Sequence, residues 1–148
     1  MLMRVIVQRV SEASVVINGL TKASIGRGLL VFAGFEETDN REDIEWMSGK
    51  VSRLRIFSDS NQLMNLSVAE IRGNILVISQ FTLHASTKKG NRPSFIKAAV
   101  PAIAEPLYND FVLQLKKDSG LTVEEGEFGA DMKICLVNDG PVTIMIDS

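Results

Sequence analysis

The 148-residue chain contains one cysteine, Cys135, and one histidine, His84. A lone cysteine excludes an internal disulfide framework, and one of each excludes a Cys/His zinc cage within a single chain. No apolar run approaches the ~20 residues that a membrane-spanning helix needs. The start, Met1-Leu2-Met3-Arg4-Val5, lacks the apolar core and cleavage site of a secretory signal. These absences lead us to expect a cytoplasmic, metal-independent protein with no cofactor and no membrane partner. Familiar catalytic signatures are missing as well. Gly26-Arg27-Gly28 is too short for a phosphate-binding loop and has no P-loop lysine, and no Gly-x-Ser-x-Gly elbow occurs.

What is present describes one domain, residues 1–148, large enough to bury a single core. Residues 4–10 and 14–18 are rich in β-branched side chains, and Asn18-Gly19 is a hairpin signal before a strand at 20–24. Gly28 to Phe35 is a continuous apolar run, as expected of a strand covered on both faces. The period then changes. Asp39 and Glu42 have capping-box spacing, and Ile44, Met47, Val51 and Leu54 recur at helical intervals, which predicts a helix over 40–54. Residues 55–57 and 74–83 read as strands. A second helix is expected over 102–119, with Leu107, Phe111 and Leu115 on one face, Pro106 in its first turn and Gly120 as its stop. Strands at 132–137 and 142–146 follow, joined by an apparent turn at Asn138-Asp139-Gly140-Pro141. The fold class is therefore α+β: a largely antiparallel sheet or small β-barrel with two main helices.

Net charge is −2 and the pI is near 5.4, which argues against wholesale wrapping of nucleic acid. The charge is nonetheless uneven. No acid occurs from Ile71 to Ala104, an interval that holds Arg72, Lys88, Lys89, Arg92 and Lys97. Such a loop is either solvated surface or a place that touches a few phosphates. Catalytic candidates from the residues alone are few. In an extended strand Thr82 and His84 share a face, so a nucleophile–base pair is geometrically possible; the alternative is that His84 merely begins a surface loop. Ser79-Gln80-Phe81-Thr82 places two hydroxyls and an amide at a strand end, which is either an edge or a ligand-facing site. Cys135 lies in the apolar run Ile134-Cys135-Leu136-Val137 and reads as an inert buried thiol.

Two segments, Ser79-Gln80-Phe81-Thr82-Leu83 and Asn138-Asp139-Gly140-Pro141-Val142-Thr143, resemble the paired signature motifs of the D-aminoacyl-tRNA deacylases. Other landmarks follow in the family's order: Val7-Gln8-Arg9-Val10, Leu54-Arg55-Ile56-Phe57, Met64-Asn65-Leu66-Ser67, Gly90-Asn91-Arg92-Pro93-Ser94-Phe95 and Phe128-Gly129-Ala130-Asp131-Met132. The resemblance runs from Arg4 to Ser148. It departs from the pattern in two loops, at Ser60-Asn61-Gln62-Leu63 and at Glu36-Glu37-Thr38.

The resemblance implies a homodimer with active sites at the subunit interface and aminoacyl-tRNA as substrate. It implies that Gly140 and Pro141 share a cis peptide bond and enter the partner's pocket as a chiral gate that excludes L side chains. Arg9 would hold that gate. Ser79, Gln80, Phe81 and Thr82 would line the catalytic pocket, with Met132 beside the adenosine, and Lys88, Lys89 and Arg92 would contact tRNA. The 2′-hydroxyl of the terminal ribose would assist the attack, and glycyl esters mischarged on alanine tRNA would also be cleaved. Three alternatives stay open: an acyl-enzyme hydrolase using Thr82, a non-catalytic RNA-binding dimer, and a sister family with a trans proline bond.

Overall fold

The computed structural model describes residues 2–148. Its first hairpin joins β1 (Arg4–Ile17) to β2 (Leu20–Ile25). Asn18 and Gly19 both take positive φ, 51° and 77°, as a two-residue hairpin turn requires. The two expected segments at 4–10 and 14–18 are thus one continuous strand. β3 (Gly28–Gly34) is covered on both sides, as the unbroken apolar run predicted. Beyond it come α1 (Arg41–Arg53), a small hairpin of β4 (Phe57–Ser58) and β5 (Met64–Leu66), and then β6 (Asn74–Ser79). A 3-10 turn, Phe81–His84, leads through a long loop to α2 (Pro101–Ser119), β7 (Val123–Glu125) and β8 (Lys133–Asp147).

Two helices and a sheet nearly closed into a barrel agree with the expected class, although the sheet is mixed. β1 pairs antiparallel with β2, β3 and β8, while β3, β6 and β7 run parallel. Parallel neighbours need long crossovers, and α1 and α2 lie within those crossovers. The helices cover one face, burying Val5, Val7, Leu29, Val31, Ile75 and Val77. The opposite face, Leu30, Leu76 and Ile78, is closed by Val10, Ala13 and Val15 of β1 with Ala23 and Ile25 of β2. β1 serves both cores because its buried positions change phase, from Val5 and Val7 to Val10 and then to Ala13 and Val15. Register shifts against β8 between Gln8 and Glu12 produce that change. Each fully buried leucine or valine contributes roughly 1.5–3 kcal/mol, so this double core fixes where the sheet ends lie.

Local details differ from expectation for identifiable reasons. The capping box of α1 is Asn40 with Asp43, not Asp39 with Glu42. Asp39 instead accepts from the Glu36 N–H at 2.7 Å, closing the preceding turn. α2 starts at Pro101, so Pro106 stands past the first turn, inside the helix. Gly120 (φ 67°) ends that helix in the left-handed conformation, as expected. β8 is one strand where two were expected. Val10 pairs with Asn138 and Gln8 with Thr143, so the four residues 139–142 bulge out opposite the single residue Arg9. Among the described residues no helix is long and apolar enough to cross a membrane.

Candidate active site

A cavity of about 580 Å³ opens where the parallel strands β3 and β6 end. Carboxyl ends of parallel strands are favourable ligand sites because the loops leaving them diverge and leave a crevice. Here Ala33 to Phe35 and Ser79 to Phe81 form one wall, the start of α2 another, and residues 128–132 a third. Phe81 and Phe95 meet edge to face at 5.1 Å on the rim, and Phe81 is 57% exposed. Below, Tyr108 donates its hydroxyl to the Val77 carbonyl at 3.1 Å and packs on Phe128. Burial pushes the Tyr108 phenol well above its ordinary range, so it is a neutral structural donor and not a base.

Four sequence-predicted site residues reach this cavity: Ser79, Gln80, Phe81 and Met132. Ser79 is placed by its pairing with Ala33, and the Gln80 N–H extends that ladder to the Ala33 carbonyl at 2.8 Å. The chain then leaves the sheet, because residues 81–84 wind into the 3-10 turn. The expected strand over 74–83 therefore stops at Ser79. Thr82 lies just outside the lining and accepts a hydrogen bond from Gln80 Nε2 at 2.6 Å. Gly126 makes room for Met132, since a Cβ there would come within 2.5 Å of the Met132 sulfur.

The turn also separates Thr82 from His84. Neither an extended Thr82–His84 pair nor a surface histidine is found. His84 is 5% exposed, its Nε2 is 2.6 Å from the Leu2 carbonyl, and its Nδ1 has no hydrogen-bond partner. Cys135, expected to be buried, is exposed: it sits on β8 at the sheet edge, where one side of the strand faces outward.

Gly140 and Pro141 form the tip of the β8 bulge and are joined by a cis peptide bond. Arg9 Nε donates to the Asp139 carbonyl at 3.0 Å and Nη1 to the Ile56 carbonyl at 2.7 Å, which ties the bulge to the body. Asn138 Nδ2 closes its base by donating to the Arg9 and Val142 carbonyls. Neither Gly140 nor Pro141 lines the cavity of its own chain. Lys88, Lys89 and Arg92 are exposed on the loop at 87–93, whose ends are clamped by two backbone hydrogen bonds between Ser86 and Ser94. Among the described residues no group of three His, Cys, Asp or Glu side chains could hold a metal ion.

Sequence reasoning did not assign Phe95, Phe128 or the start of α2 to the site. Phe95 and Phe128 stand within quoted landmark segments, and an aromatic residue just after a basic loop was the signal available for Phe95.

Residues 6–147 match the family model described as D-Tyr-tRNA(Tyr) deacylase. The chain is 58% identical over 146 residues to a D-aminoacyl-tRNA deacylase of Flavobacterium johnsoniae, covering 99% of this chain and 97% of the relative. Over the same coverage it is 61% identical to the protein of that name from Bacteroides fragilis. Among solved structures, a c-Myc DNA Unwinding Element Binding Protein superposes with a TM-score of 0.94 at 40% identity over 99% of both chains.

Proposed function

The chain belongs to the D-Tyr-tRNA(Tyr) deacylase family, and from that premise we propose that it is an editing hydrolase acting on D-aminoacyl-tRNA in the cytoplasm. Water adds to the ester carbonyl, the bond from that carbon to the ribose oxygen breaks, and the ribose oxygen takes a proton. Free tRNA and a D-amino acid leave. The observation that carries this reading is the cavity itself, sized for a nucleoside ester and lined by Ser79, Gln80, Phe81 and Met132.

The chemistry we propose uses no side-chain nucleophile. Thr82 Oγ1 is held by an amide, and His84 is buried against a backbone carbonyl, so no base stands beside the hydroxyl. An aminoacyl ester is already activated, and the ribose 2′-hydroxyl can assist the attack. A 3-10 turn leaves its first N–H groups unpaired within the turn, which makes those of Phe81 and Thr82 the donors for the developing oxyanion. A donor of this kind is worth about 3 kcal/mol of barrier. Positioning of the ester by the two walls supplies more.

Chirality is set, in this reading, by a second copy of the chain. The Gly140–Pro141 tip is braced by Arg9 yet does not line its own cavity, and β8, a strand of 15 residues, pairs with β1 alone. In a homodimer the tip enters the partner's cavity and its carbonyls occupy the direction of an L side chain. Glycyl esters on alanine tRNA pass, because they have no side chain to exclude. Lys88, Lys89 and Arg92 contact tRNA phosphates. Deacylation of D-tyrosyl-tRNA with L-tyrosyl-tRNA untouched is the expected result, and equal rates on both would overturn the gate.

A second reading takes its support from the solved structure at 40% identity, which is named for binding a DNA element. A non-catalytic nucleic-acid-binding dimer would protect the ester of a bound D-aminoacyl-tRNA, whereas the enzyme releases it, so one incubation separates the two.

A further inference from the structure

A second cavity of about 310 Å³ opens beside the first. Three chain segments pass from one to the other. Phe35 lines the larger cavity and Glu36 the smaller; Phe81 lines the larger and His84, at the end of the same turn, the smaller; Ala98 lines the larger and Lys97 the smaller. Neighbouring Cα atoms are only about 3.8 Å apart, so the two spaces share walls. The phosphate that joins the last nucleotide of a strand to the one before it is bonded to that nucleotide's own ribose, so it lies close to a terminal nucleoside held in the larger cavity.

The smaller cavity has a net positive lining. Arg4, Lys88 and Lys97 stand in it with one carboxylate, Glu36, and Asp147 pairs with Arg4 from outside the lining. Arg4 is held rigid: Nε and Nη2 bond Asp147 at 2.7 and 3.1 Å, and Nη1 bonds the Leu83 carbonyl at 3.1 Å. One hydrogen on each terminal nitrogen is left for a ligand. Lys88 rises from the loop clamped between Ser86 and Ser94. His84 forms the inner wall. A Cβ at Gly34 would lie 2.9 Å from the Gln80 carbonyl oxygen and 3.0 Å from His84 Nδ1, so a glycine at 34 leaves room for both the strand end and the ring.

We propose that this second cavity is a phosphodiester site, holding the phosphate that joins the terminal nucleotide of an RNA 3′ strand to the one before it. The inference rests on the deacylase reading of the larger cavity and adds to it a subsite with named residues. Arg4 sets the geometry of the contact, while Lys88 and Lys97 supply mobile positive charge. Ionised contacts of this type are worth roughly tenfold or more each in affinity.

The test compares two esters of one D-amino acid, on adenosine and on a dinucleotide that adds a single phosphodiester. Wild-type chain should show the lower KM for the dinucleotide. Lys97→Gln should raise that KM about tenfold, leave kcat unchanged and leave the adenosine ester unaffected. Restoring charge as Lys97→Arg should recover most of the loss. Equal effects on both esters, or none, would overturn the proposal. So would tight lysine-dependent binding of inorganic phosphate without any preference for the dinucleotide, which would mark a free-phosphate site. If the wild-type chain cleaves neither ester and no D-aminoacyl-tRNA, the deacylase reading fails by itself. Calorimetry with uncharged dinucleotide and adenosine then decides the cavity, the expected result being a lysine-dependent gain for the dinucleotide and the contrary result equal binding of both.

Discussion

Replacing Gly140 by alanine puts the gate under direct test. The residue sits at φ 125°, a conformation that L side chains rarely adopt. An added Cβ would lie 2.5 Å from Nη2 of Arg9. That guanidinium is not free to swing, because Nε and Nη1 are bonded to Asp139 and Ile56 carbonyls at 3.0 and 2.7 Å. Holding the backbone costs roughly 1–3 kcal/mol. Losing one charged-donor hydrogen bond costs roughly 1.5–3 kcal/mol. Part of this is relieved if the bulge moves, so we expect a net loss of about 2–4 kcal/mol or a displaced tip. Urea unfolding reads the first outcome. Single-turnover deacylation of matched D- and L-tyrosyl-tRNA reads the second, with the D-to-L rate ratio expected to fall at least about tenfold. Arg9→Lys should give a milder version, because a lysine cannot bond both carbonyls in one fixed fork. Unchanged stability and an unchanged ratio would refute the argument. Lost stability with an intact ratio would make the bulge a structural brace and not a gate.

Thr82→Ala should lower kcat by no more than about tenfold, since the loss of a Gln80 partner disturbs positioning and not a covalent step; near-complete loss with intact binding would favour an acyl-enzyme. The Arg4 guanidinium holds the Asp147 carboxyl below its usual range by hydrogen bonding, so the pair's stabilisation is present above the unfolded pKa near 3.9 and lost as pH falls through the folded value. Asp147→Asn should therefore destabilise by about 0.5–1 kcal/mol at pH 7, with the gap to wild type closing below that range in thermal melts; a gap that persists in acid would assign the effect to packing. Neutralising Lys88 and Lys89 together should weaken tRNA binding and flatten its salt dependence, with single-turnover rates at saturating tRNA barely changed. An unaltered salt slope would leave the loop as solvated surface.

Much of the scaffold was legible because local patterns agreed with the tertiary outcome. The apolar run at 28–35 became β3, buried on both faces, and Asn18-Gly19 became the hairpin turn. The errors have physical causes. Asn138 to Pro141 reads as a turn because its residues are turn formers, yet β1 pairs on both sides of it and makes it a bulge. Residues 80–83 continue an apolar strand pattern, but β7 pairs only with residues 75–77 of β6, and the chain winds into a 3-10 turn just past the ladder. Cys135 looked buried because its neighbours are apolar, whereas an edge strand exposes alternate residues. The site itself was visible only through the two motifs. No local signal says that Ser79, Phe95 and Met132 converge, since that depends on strand order and on the crossovers carrying α1 and α2.

The central claim is that the chain hydrolyses aminoacyl-tRNA by excluding L side chains. The most direct measurement is deacylation of D-alanyl, glycyl and L-alanyl esters carried on the same alanine tRNA, with wild-type protein under single-turnover conditions. The account predicts rapid release of D-alanine, measurable release of glycine and an L-alanyl ester as stable as in buffer. A glycyl ester as resistant as the L-alanyl ester would show that the site selects D side chains through contact, and release of all three at one rate would show that it has no chiral gate.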